Sequence, residues 1–493
     1  MRDFRLLWIS QTLNELGSRM STFVFPLLGY ALTGSVALAA LVEAAHLLGL
    51  VATLLPAGVL ADRVDRGRIM RGAALLGAIA YGSAAAAAIL GVLGLPHLLV
   101  TALASGVAAG LLGPAETAAV RTVVPPERLP EALSLNQGRQ HVAGLVGGPL
   151  GGLAYGLARW LPLLADAATY LAAAILLRGL RSDLSAPPRS GRSARAELRE
   201  GLAYLLRHPL FRLLSGWASL TNLTMNTLFL LAVLRLVEDG VPPLHIGLVE
   251  TASAAAGILG ALLAPRMIRR LPTGWLTIGV AWSPLPLAIP MAFWPHPAVV
   301  AAALVGVLLL NPAGNAGMAS YRLRITPPEL VGRLHAASQF VSMLPLPLAP
   351  VLAGVLLHTW GGRDGVLLAA AACGLSALVP TASRLVRAVP RPDRWVTGPA
   401  SGEDAVEDLQ GARPGGGVGV DDDEVVAVDP HELCGAAGVG RSCDIGLGLA
   451  DRDDRVVGAV HAPDGDVDRQ HRDRVDVAVV GAVRVPQERR DRP

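Results

Sequence analysis

Lysine is absent from this chain; all 42 residues of the Lys and Arg class are arginine. A phosphate-cradling loop of the form Gly-x-x-x-x-Gly-Lys-Ser/Thr needs that lysine, so ATP-driven work by this chain alone is disfavoured. Cysteine is scarce as well. Cys373, Cys434 and Cys443 show neither pairing nor metal-ligand spacing, which argues against a disulfide framework and a metal centre. Charge is thin, at 16% of residues, where an ordinary soluble domain carries roughly 25%. The short alternating segments of a membrane barrel are missing too. No nucleophile constellation stands out, so an enzyme is not expected, nor is a cofactor or a nucleic-acid partner.

What is present is apolar: 52% hydrophobic residues and a mean hydropathy of +0.48. Long Ala/Leu/Val runs can cross a bilayer only as helices, because lipid offers the backbone no hydrogen-bond partner and a span needs about 20 residues. Arginine without lysine, amid abundant Ala and Gly, suggests a GC-rich bacterial gene. Punctuation by Gly, Pro and Arg gives twelve spans. They run near 6–32, 36–57, 69–93, 98–118, 135–158 and 161–177, then 211–236, 246–264, 275–294, 298–321, 336–360 and 365–383. The first span is read as retained, since no small-residue cleavage site follows it.

Arginines fix the expected orientation. Junctions holding Arg63, Arg66, Arg68 and Arg71, or Arg266, Arg269 and Arg270, alternate with junctions around Thr33-Gly34-Ser35 and Pro295-His296-Pro297 that hold none. The positive-inside rule then places both termini and the long middle loop in the cytoplasm, with the protein multi-pass in the bacterial inner membrane. The chain also repeats itself. Phe4-Arg5-Leu6-Leu7 recurs as Phe211-Arg212-Leu213-Leu214, and Pro125-Pro126-Glu127 recurs as Pro327-Pro328-Glu329. Each copy holds the same place in its half. The expected organisation is a first six-helix half over 1–180, a cytoplasmic connector over 181–209, a second half over 210–394, and a disordered tail over 395–493 that also reads like out-of-frame translation.

Between the second and third spans lies Gly58-Val-Leu-Ala-Asp62-Arg63-Val-Asp65-Arg66-Gly67-Arg68. It resembles the signature loop of the major facilitator superfamily, Gly-x-x-x-Asp-Arg/Lys, with Gly58, Asp62 and Arg63 in place. Asp65 stands where the family has a later glycine, and Gly67 where it has a basic residue. The Asp-Arg-x-Asp-Arg form is similar to that of a bacterial exporter branch, the macrolide-efflux-like and enterobactin-exporter-like permeases. The resemblance implies an all-α membrane protein of 12 transmembrane helices in two pseudo-symmetric halves, with the substrate site between them. It also implies that Asp62 latches a helix end in one conformation, as a carboxylate beside a helix amino terminus can. The second half keeps only Ala264-Pro265-Arg266-Met267-Ile268-Arg269-Arg270, without an acid. Gating then falls on Gly58, Asp62, Arg63, Asp65, Arg66 and Arg68. In the fifth span Gly144, Gly148, Pro149 and Gly152 resemble the Gly-x-x-x-Gly-Pro element of superfamily exporters, suited to a helix that bends and slides.

Ionisable residues within spans are functional candidates. Glu15 and Arg19 stand at i, i+4 in the first span; they either neutralise each other or couple proton movement to substrate. Glu43 and His46 form the next pair. Glu116, Arg121, Arg139 and His141 read as an interfacial polar network, and Asp166 as a structural cap. Cavity candidates are Asn14, Gln137, Asn222, Asn226, Asn311, Asn315 and Gln339. Their neutral polarity suits a substrate that is itself largely apolar. The expected activity is a proton-coupled exporter of small apolar or amphipathic compounds, drug-like or siderophore-like. Expected partners are that substrate, protons and the lipid bilayer, around a monomer. A metabolite importer of the same fold, or a non-transporting membrane assembly partner, remains the alternative.

Overall fold

The computed structural model describes residues 2–61, 64–125, 129–185, 194–327 and 330–395, together with three short strands further on. The chain divides into two units, Met1–Arg413 and Pro414–Pro493. In the first unit the apolar runs become helices. α1 (Arg2–Thr33), α2 (Val36–Ala61), α3 (Arg66–Ile89), α4 (Leu95–Val123), α5 (Leu129–Leu157) and α6 (Leu161–Arg178) precede a short connector helix, α7 (Ala194–Arg207). Then come α8 (Pro209–Glu238), α9 (Pro243–Arg270), α10 (Thr273–Trp282), α11 (Pro284–Phe293), α12 (Pro297–Arg324), α13 (Val331–Met343), α14 (Leu348–Ala382) and the single turn α15 (Arg384–Arg387).

Among the described residues nine stretches are long and apolar enough to cross a membrane. α1 and α5 are 32 and 29 residues long and fall short of that apolarity through the polar side chains they carry inward. Proline divides one expected span into α10 and α11, since Pro284 has no N–H to continue the ladder. α13 and α14 together hold the last two spans, which part at Gly361, whose φ of +74° only glycine adopts freely. The packing is that of a membrane bundle. Ala39, Ala74, Ala84, Ala115 and Ala353 are buried while Ile79 and Leu375 stand 69% and 65% exposed on the lipid side. Small residues let helices approach where lipid is as apolar as leucine.

The connector is pinned at both described ends. Asp3 accepts from the Arg181 and Ser182 amides and the Ser182 hydroxyl at 3.1, 2.7 and 2.6 Å. The Arg66 amide donates to the Leu184 carbonyl at 3.1 Å. At the other end Arg333 at the start of α13 pairs with Glu200 of α7 at 3.0 Å. The Ser182 hydrogen bonds hold the Asp3 carboxyl below its ordinary value of 3.8. Its contribution is therefore complete above pH 4 and is lost only as pH falls through the lowered value. Proteolysis of the connector should accelerate below that point in the wild type, and at neutral pH in Asp3→Asn.

In the second unit, Asp444–Leu449 and Arg455–His461 pair antiparallel, with Asp444 opposite His461, and Val483–Arg484 extends the sheet. The β-branched run Arg455-Val-Val-Gly-Ala-Val favours a strand where composition alone suggested none.

Candidate functional site

Gln11, Asn14, Glu15, Ser18 and Arg19 fall at i, i+3/4 and i+7/8 on α1, one face of one helix. That face lines a cavity of about 1050 Å³. α2 adds His46 and Leu50; α4 adds Leu112, Glu116 and Thr117; α5 adds Asn136, Arg139, Gln140 and Gly144; Tyr170 comes from α6. The helices after the connector supply Asn226 and Phe229 from α8, Glu250, Ser253, Ala254 and Gly257 from α9, and Leu308 from α12. The wall from α1–α6 is charged, and the opposite wall is mostly neutral or apolar.

The charges nearly balance. Arg19 donates Nε to Glu15 Oε1 at 3.0 Å. Glu250 lies within the field of Arg19, and Glu116 within those of Arg139 and Glu15. The Nε of Arg139, Oδ1 of Asn14 and Asn136, and Oε1 of Gln11 are buried without protein partners. These unpaired atoms belong to lining residues, and a rotation of the side chain is what would bring each to a ligand or to water. His46 Nδ1 is 2.9 Å from Ser105 Oγ.

Of the residues singled out by sequence, Asn14, Glu15, Arg19, His46 and Asn226 meet in this cavity. Others lie off it. Glu43 is three residues from His46 yet is not part of the lining, and its Oε2 is buried without a partner. Asn222 donates to the Ser342 carbonyl at 3.0 Å, and Asn315 to Asn311 Oδ1 at 2.6 Å. Gln339 is exposed away from the lining, and the Gln137 side chain lies outside the described residues. Glu116 and Arg139 line the cavity itself, and Glu250 joins them. Charge within a span was the signal for all three.

In the loop before α3, Asp62 and Arg63 lie outside the described residues. Asp65 caps its own helix, accepting from the Arg68 amide at 2.7 Å, with Arg71 3.8 Å away. Arg66 reaches Thr122 of α4 at 2.9 Å. Gly58 has open space around it, and the Arg68 side chain is exposed.

The cavity is closed toward the arginine-poor ends. Gly144, Gly148 and Gly152 form a stripe on α5 that lies against α9. A Cβ on Gly148 would come within 2.8 Å of the Gly247 carbonyl, and one on Gly247 within 2.4 Å of the Gly148 carbonyl, with Pro149 beside them. Gly152 abuts Pro243 and Leu244 in the same way, and Thr251 donates to the Leu145 carbonyl at 2.8 Å. On the other flank Gly354 of α14 fits against Val36, Ala37 and Ala40 of α2. The lining extends the other way, to Thr117 and Asn136 near the arginine-rich ends of α4 and α5.

The sequence model of the Major Facilitator Superfamily matches residues 7–344. No curated protein matches the chain. Among solved structures, a bacterial homologue of the human lysosomal transporter Spinster, inward-facing and unoccupied, is similar at 16% identity. The match covers 80% of this chain and 98% of that one, with a TM-score of 0.63. A bacterial homologue of the iron transporter ferroportin, also inward-facing, is similar at 19% identity over 77% and 98%, with a TM-score of 0.62. The nucleoside transporter NupG follows at 15% identity over 76% and 99%, with a TM-score of 0.59. At such identities these likenesses show the fold.

Proposed function

This chain belongs to the major facilitator superfamily of membrane transporters, and we propose that it is a proton-coupled exporter of small amphipathic compounds, drug-like or siderophore-like, in the bacterial inner membrane. The observation that carries this reading is the cavity between α1–α6 and α8–α14. It is of ligand size, closed at one end, and lined by balanced ionisable groups. A charged wall opposite Phe229, Ala254 and Leu308 favours a molecule with one polar and one apolar side. Of the apolar or amphipathic compounds expected from the sequence, the amphipathic ones suit this lining better. Both termini are taken as cytoplasmic from the arginine distribution, so the cavity extends toward the cytoplasm and an inward-facing state is the natural description.

Glu15 is proposed as the coupling carboxylate, because it is the acid in direct contact with a basic cavity residue. Losing its charge frees Arg19, and gaining it recaptures Arg19. Asp62 is proposed as the latch on the strength of the sequence motif alone.

Inverted vesicles carrying the full chain, with ethidium as the probe, test this. An imposed proton gradient should drive ethidium into the vesicles. Glu15→Gln should lower gradient-driven transport at least about tenfold, a modest share of what a proton-transfer group contributes, while gradient-independent ethidium exchange persists. Asp62→Asn should slow both. Gradient-driven transport at the wild-type rate in Glu15→Gln would sink the coupling assignment.

A further inference from the structure

Behind the cavity wall is a carboxylate that the transport reading does not use. Asp166 of α6 is 0% exposed, about 8 Å along the helix from Leu161. Gly17 of α1 makes room for it, since a Cβ there would collide with both the Asp166 carboxylate and the Thr169 hydroxyl. Its hydrogen-bond partners are hydroxyls, Ser21 of α1 and Thr169 at 3.1 Å, with Tyr81 of α3 beside them. These are contacts between helices, and the sequence reading of Asp166 as a helix cap does not fit them.

Burial, the shortage of donors and the lack of a cation among the described residues together point to a proton. A hydroxyl has one hydrogen to give. Ser21 Oγ has the Gly17 carbonyl at 3.1 Å and Thr169 Oγ1 has the Asp166 carbonyl at 2.8 Å, the usual back-bonds of such residues in helices. Each hydroxyl can give its hydrogen either to its helix carbonyl or to the carboxyl group, so the carboxyl group competes for every donor it has, and a proton of its own relieves that competition. Among the described residues no arginine or histidine ion-pairs with Asp166, and an ionised carboxylate buried in a bundle without a cation is costly by several kcal/mol.

The site also has a line to the cavity. Tyr81 stands beside Asp166, Ser21 and Ser105, and Ser105 meets His46 Nδ1 at 2.9 Å. His46 is a cavity residue. The Tyr81 ring stacks on Tyr170 with centroids 5.8 Å apart and on Phe25 at 5.9 Å, so the line runs through a packed aromatic wall. Tyr170, one turn on from Asp166, touches Ser18 at 3.3 Å and closes the direct path. The charged groups on the elements around the site lie elsewhere. Glu15 and Arg19 of α1, Glu116 of α4 and Arg139 of α5 line the cavity, and Arg71 stands near the other end of α3.

We propose that Asp166 is a proton-storage site, loaded in this conformation and connected to the cavity through Tyr81, Ser105 and His46. This rests on the transport reading of the cavity, but the presence of the proton can be measured without any transport. The full chain in lipid should show the infrared carbonyl stretch of a protonated carboxyl group that Asp166→Asn removes. A spectrum unchanged by Asp166→Asn overturns the proposal, whether or not ethidium is transported. In proteoliposomes, Asp166→Asn and Tyr81→Phe should each lower gradient-driven ethidium transport at least about tenfold, with gradient-independent exchange held within about twofold. Tyr81→Phe keeps the ring and its stacking, so a merely structural role predicts no loss. Loss of exchange to the same extent as driven transport, in both variants, would also overturn the proposal. Should wild-type protein move no ethidium, the transport reading fails for that probe and the infrared result still decides Asp166.

Discussion

Gly148→Ala should open the closed face of the protein. The added methyl would stand 2.8 Å from the Gly247 carbonyl, and in Gly247→Ala 2.4 Å from the Gly148 carbonyl. Neither obstacle is the flexible end of a side chain; both are backbone of a facing helix, so α5 and α9 must separate. Overpacking of this kind costs about 1–3 kcal/mol, and the cost falls only on the conformation in which the two helices touch. Since 1.4 kcal/mol is about a factor of ten in an equilibrium, the population of the alternative conformation should rise roughly tenfold or more. The readout is a buried position on the other flank of the same face. Val36, 5% exposed and packed by Gly354, becomes Val36→Cys in a background without Cys373, Cys434 and Cys443. An impermeant maleimide added from that side should react about ten times faster once Gly148 is alanine. Gly148→Ala with Gly247→Ala should add little, because both disturb one contact. An unchanged labelling rate in a folded Gly148→Ala protein would show that this contact does not set the equilibrium.

The glycine stripe shows what sequence can and cannot reveal here. Gly144, Gly148 and Gly152 were legible as a surface for close approach, because their spacing puts them on one helix face. Their partner was not. Gly247 belongs to a helix nearly a hundred residues away, and only the arrangement of helices says that it meets Gly148. The same division runs through the cavity. The α1 face was readable because its polar residues recur at helical spacing in an apolar run, and Glu15 with Arg19 could be paired from local geometry. Asn311 and Asn315 carried the same signal and satisfy each other instead, since one helical turn suits mutual hydrogen bonding as well as a shared cavity. Glu43 and His46 are separated by one turn, yet only His46 lines the cavity. Three residues turn the helix by about 300°, which leaves the two side chains roughly 60° apart, near enough to share a side and far enough for the lining to admit one of them. Helix ends and the internal repeat were readable because arginine, proline and glycine act locally. The loop acid Asp65 was readable as important, but its described contact is the amino terminus of α3, its own helix.

Arg139→Leu should be the most damaging single change in the cavity. Arg139 is 7% exposed, and its Nε has no protein partner. Its positive charge acts on Glu116, which also feels Glu15. Arg139 acts on Glu116 through its field, and removing the cation leaves that buried carboxylate uncompensated; for a buried pair in contact such a loss costs about 3–5 kcal/mol, which sets the upper end here. The expected result is a fall of about 3 kcal/mol in stability, read from denaturant unfolding in detergent, and a loss of ethidium transport of about a hundredfold. A second change separates the two effects. Glu116→Gln removes the stranded charge and should return most of the lost stability, so that the double variant is more stable than Arg139→Leu alone. Transport should stay low in the double variant, because Arg139 lines the cavity and its guanidinium is the cation that a polar substrate group would meet on this wall. Arg139→Lys sharpens the distinction, since it keeps the charge but not the planar fork that binds two acceptors at once. It should hold stability near wild type while transport falls. If Glu116→Gln instead adds its own cost to that of Arg139→Leu, the two residues are not a pair and the charge balance of this wall must be drawn through Glu15 and Arg19 alone.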